Sequence, residues 1–487
     1  MTKKSINSKR NLTMLMDFYE LTMSNGYFVK GLKDKIVVFD MFYRRNPDKG
    51  GFVIFAGLEQ LIEYVKDIHF TDGDIEYLRS KKLFDEKFLE YLKNFKFKGT
   101  IEAVKEGTVV YPDTPLITVT APLIDAQLIE TMMLLIINHQ SLIATKANRI
   151  VRAAKDAIVM EFGARRAQGA DAAVYGARAC YVGGVSATAT TLAEDMFGVT
   201  AVGTMAHSWV MFFDNEYDAF KSYAESYPDS CTLLIDTYDV MDSGVVNAIK
   251  VAKDVLEPQG KRLKGVRLDS GDLAYLSKKV RAKLDENGLT DCKIVASNSI
   301  DEYLIKSLNS QGACIDAYGI GERMITAKSD PVFGGVYKLA AISGENGEFI
   351  PKIKISENIE KITNPGKKVL WRIYDKKEGY GIADLLTLEG EDVPEDEVYE
   401  FIDPTKPWKK RKFENFRAEK LQQTIFDNGE LVYELPTLDE IRDYVKYQLE
   451  NLVWKEEQRF ENPHIHYVDL SKKLYELKKA LLNNAGH

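Results

Sequence analysis

The chain has 487 residues, of which 45% are hydrophobic and 28% charged. That composition is globular and excludes disorder, collagen or a coiled coil as a description of the whole; at about 150 residues per domain it suggests roughly three domains. A net charge of −8, from 65 basic and 73 acidic residues, argues against a non-specific partner for nucleic acid or anionic membrane but leaves room for local basic pockets.

In chain order, the basic start MTKKSINSKRNL has no apolar stretch after it and does not read as a signal peptide. Residues 36–45 (IVVFDMFYRR) read as a strand, and 58–66 and 72–93 as helices. The β-branched runs of 100–122, broken by Gly107, Pro112 and Pro115, read as a small β-hairpin unit. Residues 125–155 read as one long helix with Asp125 as its N-cap. The longest strongly apolar run, 132–137, is far short of the roughly 18 residues of a membrane span. From 157 to 321 seven short apolar runs recur: AIVMEFG, ACYVGG, AVGTMAH, TLLIDTY, GVRLDSG, KIVASNS and CIDAYGIG. Each ends in Gly or a polar residue and is followed by a helical pattern. That is the rhythm of βα units around a parallel sheet buried on both faces. An incomplete or irregular α/β barrel is expected, with an open doubly wound sheet as the alternative. After 336 the segments VYKLAAI, FIPKIKI, KKVLWRIY and GIADLLTL read as antiparallel strands, with turns at 344–347 and 365–366. Residues 437–483 read as helical. The basic run 409–412 reads as a solvated face. Cys180, Cys231, Cys292 and Cys314 lack CxxC spacing and read as buried free thiols, so a cytoplasmic location is expected.

Ligands of parallel α/β folds bind at the carboxyl ends of the strands. Here those ends carry Phe162 to Arg166, Ser186, Thr204, His207, Asp236, Asp239, then Arg267 to Asp272, Ser297 to Ser299 and Gly319 to Arg323. Arginines, carboxylates, hydroxyls and glycine turns on one rim suit a phosphorylated substrate with a metal ion. Each piece has a plainer reading. GIG at 319–321 lacks the third glycine of a dinucleotide fingerprint and could be an ordinary turn. Asp236 or Asp239 could cap the next helix, and so could Asp269 or Asp272. His464 and His466 form HxH, with no third metal ligand nearby. The motifs TLLIDTY, GVRLDSG and KIVASNS hold no lysine for a Schiff base.

Taken together, DFYELTM at 17–23, FYRR at 42–45, EFGARRAQG at 161–169 and GTMAHS at 203–208 resemble nicotinate phosphoribosyltransferases. GVRLDSGDL at 265–273, SNSIDE at 297–302, YGIGERMIT at 318–326 and GGVYKLAAI at 334–342 extend the resemblance to about residue 375. It implies a type II phosphoribosyltransferase: an irregular seven-stranded α/β barrel with a second α+β domain built from the N- and C-terminal flanks. The expected parts are 1–140, 141–335 as the catalytic barrel, and 336–487. It implies a homodimer with shared active sites. The reaction joins nicotinate to 5-phosphoribosyl 1-pyrophosphate, giving nicotinate mononucleotide and pyrophosphate, with Mg²⁺ and with ATP hydrolysis coupled through a phosphohistidine, in NAD salvage. Enzymes using nicotinamide or quinolinate are the near rivals; a barrel sugar-phosphate isomerase or lyase, or a non-catalytic relative, are the distant ones.

By the same resemblance, Phe162 and Tyr19 of the partner subunit would sandwich the pyridine ring. Arg267 would meet its carboxylate, helped by Thr204 and Ser186. His207 would be the phosphohistidine. Arg165, Asp236 and Asp269 would face ribose, pyrophosphate and metal. Ser297, Asn298, Gly319 and Gly321 would cradle the 5-phosphate. Arg44, Arg45, Lys338, Lys354, Lys361 and Lys367 would be further anion contacts. Related amide-using enzymes place an aspartate near Ser186, where this chain has no acid. Several relatives carry Thr after the GIG turn, where this chain has Glu322, so that residue must turn away or leave the phosphate to backbone N–H groups and Arg323.

Overall fold

The structure, a computed structural model, describes residues 10–358, 361–395, 397–404, 408 and 410–484. They fall into two compact units: Ile143–Ser329, and a unit combining the chain up to Leu142 with the chain from Asp330 onward.

In the continuous unit, six parallel strands run in the order Ala187–Thr188, Ile158–Glu161, Ala317–Ile320, Lys293–Ser297, Gly265–Leu268, Thr232–Leu234. Thr188 also makes a single parallel bridge to Ala201. The strands are short apolar runs closed by polar residues. Their cores (Val159, Leu233, Val266, Ile294) are buried, as a sheet covered on both faces requires. Two of the expected strands differ. ACYVGG is the end of helix Ala170–Val182, and the strand follows at Ala187. That helix is buried nearly all round, which erases the periodicity separating a helix from a strand. AVGTMAH contributes only the Ala201 bridge before helix His207–Phe212 begins.

The other unit interleaves both chain ends. Strand Ile36–Phe42 lies between Val336–Ser343 and Ile117–Pro122, antiparallel to both. Gln422–Asp427 pairs antiparallel with Thr100–Val104. The completed sheet has seven strands. A second sheet of six is built entirely from residues after 367, around Ile373, Leu385, Phe401 and Phe416. The region 72–93 is two helices, Asp72–Ser80 and Glu86–Lys93, because Asp85 caps a new start. The region 125–155 also divides, into Leu123–Gln127 and Glu130–Ala154. Asp125 is not its cap; the buried carboxylate accepts the Lys98 N–H at 2.8 Å. By length and composition Leu123–Ala154 could cross a membrane, yet 72% of the window concerned is buried inside the fold, as in a core helix. The segment 437–483 is not continuously helical: strand Tyr467–Leu470 separates Leu438–Asn451 from Lys472–Asn484.

Of HxH, His466 belongs to this unit's core, while His464 is half-buried. His466 is buried and stacks on Tyr111, ring centroids 3.6 Å apart. Its Nδ1 is 2.9 Å from Glu457 and its Nε2 3.3 Å from Asp384. Asp384 also receives a two-pronged contact from Arg372, at 2.8 and 3.0 Å. Two carboxylates around one imidazole make a buried ion cluster. All four cysteines are free thiols, three of them buried. Of the basic run, Lys409 lies outside the described residues, and Arg411 pairs with Asp403 and Asp469.

Candidate active site

Arg267 organises the strand ends of the continuous unit. Its Nε donates to Ser297 Oγ at 2.8 Å, Nη1 to Thr204 Oγ1 at 3.3 Å and Nη2 to Asp269 Oδ1 at 3.0 Å. The Ser297 hydroxyl donates to the same Asp269 oxygen. The guanidinium lies 5.7 Å from the centre of the Phe162 ring. Residues from four segments thus converge on one planar cation that lies over an aromatic ring, a geometry suited to an anionic flat ligand.

Beside it, Asp236 is buried and braces the next loop. Its Oδ2 accepts the Asp269 N–H at 2.9 Å and the Ser270 hydroxyl at 2.6 Å, while Oδ1 is buried without a hydrogen-bond partner. Asp239 and Asp272 are the helix caps, accepting Met241 N and Tyr275 N. Asp236 and Asp269 are thereby separated from the capping reading. His207 opens helix His207–Phe212 with its ring 42% exposed. Nδ1 shares a hydrogen bond with Thr237 Oγ1 at 3.1 Å, and Nε2 is 3.9 Å from Asp269. An accessible imidazole held at one nitrogen leaves the other for chemistry.

The GIG turn behaves differently from a simple cradle. A Cβ on Gly319 would stand 2.5 Å from the Phe162 ring, and one on Gly321 would stand 2.9 Å from the Phe162 carbonyl. Both glycines make room for the 162–163 turn, so only their backbone can serve a ligand. Asn298 and Ser299 both have positive φ, +86° and +26°, at the end of their strand. Positive φ is uncommon outside glycine, though asparagine tolerates it better than serine, and such backbone collects at ligand sites. Glu322 turns away: its carboxylate pairs with Lys328 and lies 3.9 Å from Arg166, and these cations help hold its pKa below the usual range. Arg323 lies 3.7 Å from Asp301. Arg165 is exposed on the turn Ala164–Arg166.

Ser186 lies just before the strand Ala187–Thr188. Its backbone N–H meets Val159, and Ala187 pairs with Met160. Side chains alternate across a strand. Ala187 therefore shares the face of Met160 and Gly319, and Ser186 points to the opposite one. The residue of this strand facing the pocket side is Ala187. The sequence reading also passed over Glu161 and Thr237. Glu161 is fully buried and accepts hydrogen bonds from Gly163 N, Thr188 Oγ1 and Thr190 Oγ1. Its one trace in the sequence is an acid closing an otherwise apolar run.

Tyr19, Arg44, Arg45, Lys338, Lys354, Lys361 and Lys367 belong to the discontinuous unit. Tyr19 is 43% exposed on helix Phe18–Val29, and burial with nearby Glu130 raises its phenol pKa. Arg44, Lys338 and Lys354 form a basic group: burial lowers the Lys338 pKa, and the charges of Lys354 and Arg44 add to the effect. Lys361 and Lys354 are exposed. Two expected anion contacts are already partnered. Arg45 grips Asp330 at 2.6 and 3.0 Å, and Lys367 meets Glu389 at 2.7 Å. Each has an acid within reach that balances its charge.

Family models for nicotinate phosphoribosyltransferase match this chain in three consecutive parts: the N-terminal domain over residues 14–138, the family's central region over 158–363 and the C-terminal domain over 367–478. The chain belongs to the nicotinate phosphoribosyltransferase family. A Bacillus subtilis protein named nicotinate phosphoribosyltransferase is 43% identical over 95% of this chain and 93% of its own length. A Homo sapiens protein of the same name is 31% identical over 96% of each. The crystal structure of human nicotinic acid phosphoribosyltransferase superposes with a TM-score of 0.84 at 29% identity, covering 96% of this chain and all of that one. Within this family, the match includes the C-terminal part that the sequence motifs left out.

Proposed function

We propose that this chain transfers the phosphoribosyl group of 5-phosphoribosyl 1-pyrophosphate to nicotinate, releasing pyrophosphate, in NAD salvage. The observation that carries the reading is Arg267, held by Ser297, Thr204 and Asp269 beside the Phe162 ring. The pyridine ring would stack on Phe162 and, across a homodimer, on Tyr19 of the partner subunit. Its carboxylate would meet the Arg267 guanidinium. The ring nitrogen already carries a lone pair, so no general base is required. Positioning and electrostatics then supply most of the catalysis.

Asp236 Oδ1, buried and unpartnered, fits a hard divalent cation shared with substrate oxygens, and Asp269 is the neighbouring carboxylate. Mg²⁺ bound there would neutralise charge on the leaving pyrophosphate. His207 would accept the phosphoryl group of ATP, Thr237 fixing its ring and Asp269 facing its other nitrogen. Ser297, Asn298 and the backbone of Gly319 and Gly321 would hold the 5-phosphate. Arg165, Arg44, Lys338, Lys354 and Lys361 would meet the remaining anionic groups.

We read the six parallel strands and the Ala201 bridge as an irregular seven-stranded barrel, with the flanking unit as a second α+β domain. Exposed Phe18, Tyr19 and Met23 on one helix support a dimer, and four unpaired thiols support a cytoplasmic location. The direct test is product formation from nicotinate, nicotinamide or quinolinate with 5-phosphoribosyl 1-pyrophosphate, with and without ATP. Preference for nicotinate with ATP stimulation is expected. Equal or better turnover of another pyridine, or sugar-phosphate turnover without a pyridine, would reject the reading. His207→Ala should retain slow transfer while losing ATP hydrolysis and the phosphohistidine signal. Full coupling in that variant would reject His207.

A further inference from the structure

We propose that Glu161 is the positioning residue of the pyridine slot, acting from behind the sheet through the turn that carries Phe162. This rests on the reading of Phe162 as the stacking ring. Side chains alternate along strand Ile158–Glu161, so Glu161 points away from the face shared by Met160, Gly319 and the Phe162 ring. It is nonetheless fully buried, beneath the rim.

Three hydrogen-bond donors from two segments end on its carboxylate. Oε1 accepts the N–H of Gly163, the residue directly after Phe162. Oε2 accepts the hydroxyls of Thr188, at 2.6 Å, and Thr190, at 3.3 Å. Gly163 is closely packed where a side chain would stand, since a Cβ there would lie 2.5 Å from Ile325 Cβ and 2.8 Å from Glu161 Oε1. The turn therefore has little freedom, and the carboxylate sets its height. Thr188 passes the constraint on. Its N–H bonds Thr200 O at 3.0 Å and its carbonyl receives Val202 N–H at 2.8 Å. That segment leads to Thr204 and His207. One side chain thus ties the Phe162 turn to the segment that presents Thr204 to Arg267.

A buried acid has other uses, and the contacts decide among them. Among the described residues no cation pairs with Glu161, and its hydrogen-bond partners Gly163, Thr188 and Thr190 all donate to it. Burial raises its pKa while the two hydroxyls and the Gly163 N–H oppose that rise. It cannot reach a ligand on the far face. What remains is geometry: two rim segments held in register under a ring.

The test is steady-state kinetics of four folded variants, with KM for nicotinate and for 5-phosphoribosyl 1-pyrophosphate measured separately. Losing hydrogen bonds to a buried carboxylate corresponds to about tenfold or more. Glu161→Ala should raise KM for nicotinate by about that factor and leave the other KM within about twofold. Thr188→Val should raise it a few-fold in the same selective way. Glu161→Gln should recover most of the loss, because a threonine hydroxyl can turn to accept from the amide. Phe162→Ala is the reference. If it raises KM for nicotinate while Glu161→Ala and Thr188→Val do not, or raise both constants alike, the positioning role is overturned. If Phe162→Ala leaves that constant unchanged, the pyridine slot itself is misassigned. Should Glu161→Ala fail to fold, Thr188→Val decides alone.

Discussion

At Arg267 one planar cation meets a serine, a threonine and an aspartate while lying over a ring. Lysine would keep the charge and lose the fork. Arg267→Lys should lower kcat/KM for nicotinate by roughly ten- to a hundredfold, from two or three lost charged hydrogen bonds, with little change in thermal stability. Unchanged kinetics would remove Arg267 from carboxylate recognition. The residues that meet at Arg267 were readable as types in order along the strand ends, although single Asp and Gly residues there also serve as caps and turns, as Asp239 and Asp272 do. What was not readable is facing. A slip of one residue turns a strand side chain to the other side, which is what distinguishes Ser186 from Ala187. The charge argument transfers to the neighbouring position: Ala187→Asp should penalise nicotinate far more than nicotinamide. Equal effects on kcat/KM for the two would refute it. Arg45 and Lys367 illustrate another gap. A sequence shows a cation but not the acid folded against it.

Among the elements, long strands and amphipathic helices were legible, whereas Ala170–Val182 was not. Burial on every side leaves no stripe to read. The C-terminal sheet was legible in part: KKVLWRIY and GIADLLTL do pair antiparallel, as Lys368–Asp375 with Gly381–Leu388, whereas Tyr467–Leu470, a four-residue strand between two helices, was hidden. That strand's approach carries His466 into the ion cluster, and the cluster makes stability depend on pH. Burial alone would lower the His466 pKa, but Asp384 and Glu457 more than offset it and the net shift is upward. The stabilisation from protonated His466 is therefore complete below its unfolded pKa of about 6.5 and fades as pH rises through the higher folded value. Asp384 is held down to about 2, because Arg372 and His466 overcome its burial. Its contribution is complete above about 3.9 and is lost as pH falls through about 2. His466→Gln should thus cost most between about pH 4 and 6.5, on the order of 3 kcal/mol, and less at pH 9. Urea midpoints at pH 6 and 9 would check this; an equal loss at both would mean that packing on Tyr111, not charge, is what His466 provides.

For the molecule as a whole, the sequence conveyed a change of rhythm at each end of the βα region. It could not convey which strands pair across about 300 residues, such as Ile36–Phe42 with Val336–Ser343. Pairing partners are chosen by register and by shape, and neither is local. The consequence concerns time. The strands of Ile143–Ser329 pair only among themselves and with nearby residues, so this unit has all its partners once residue 329 is made. The first 142 residues do not. Strand Thr100–Val104 waits for Gln422–Asp427, and Ile36–Phe42 waits for Val336–Ser343. Counted from residue 142 at ~5–20 residues per second, about 200 further residues delay the Val336–Ser343 pairing by roughly 10–40 s, and about 285 delay the Gln422–Asp427 pairing by roughly 14–57 s. During synthesis the middle of the chain should become protease-resistant before its beginning, which pulsed proteolysis of timed translation products would reveal. Resistance appearing from the N-terminus first would contradict that order. An apolar first strand with one edge still open on the ribosome is also where a chaperone has most to do, so a slowed supply of the C-terminal half should lower soluble yield even when every residue is wild type.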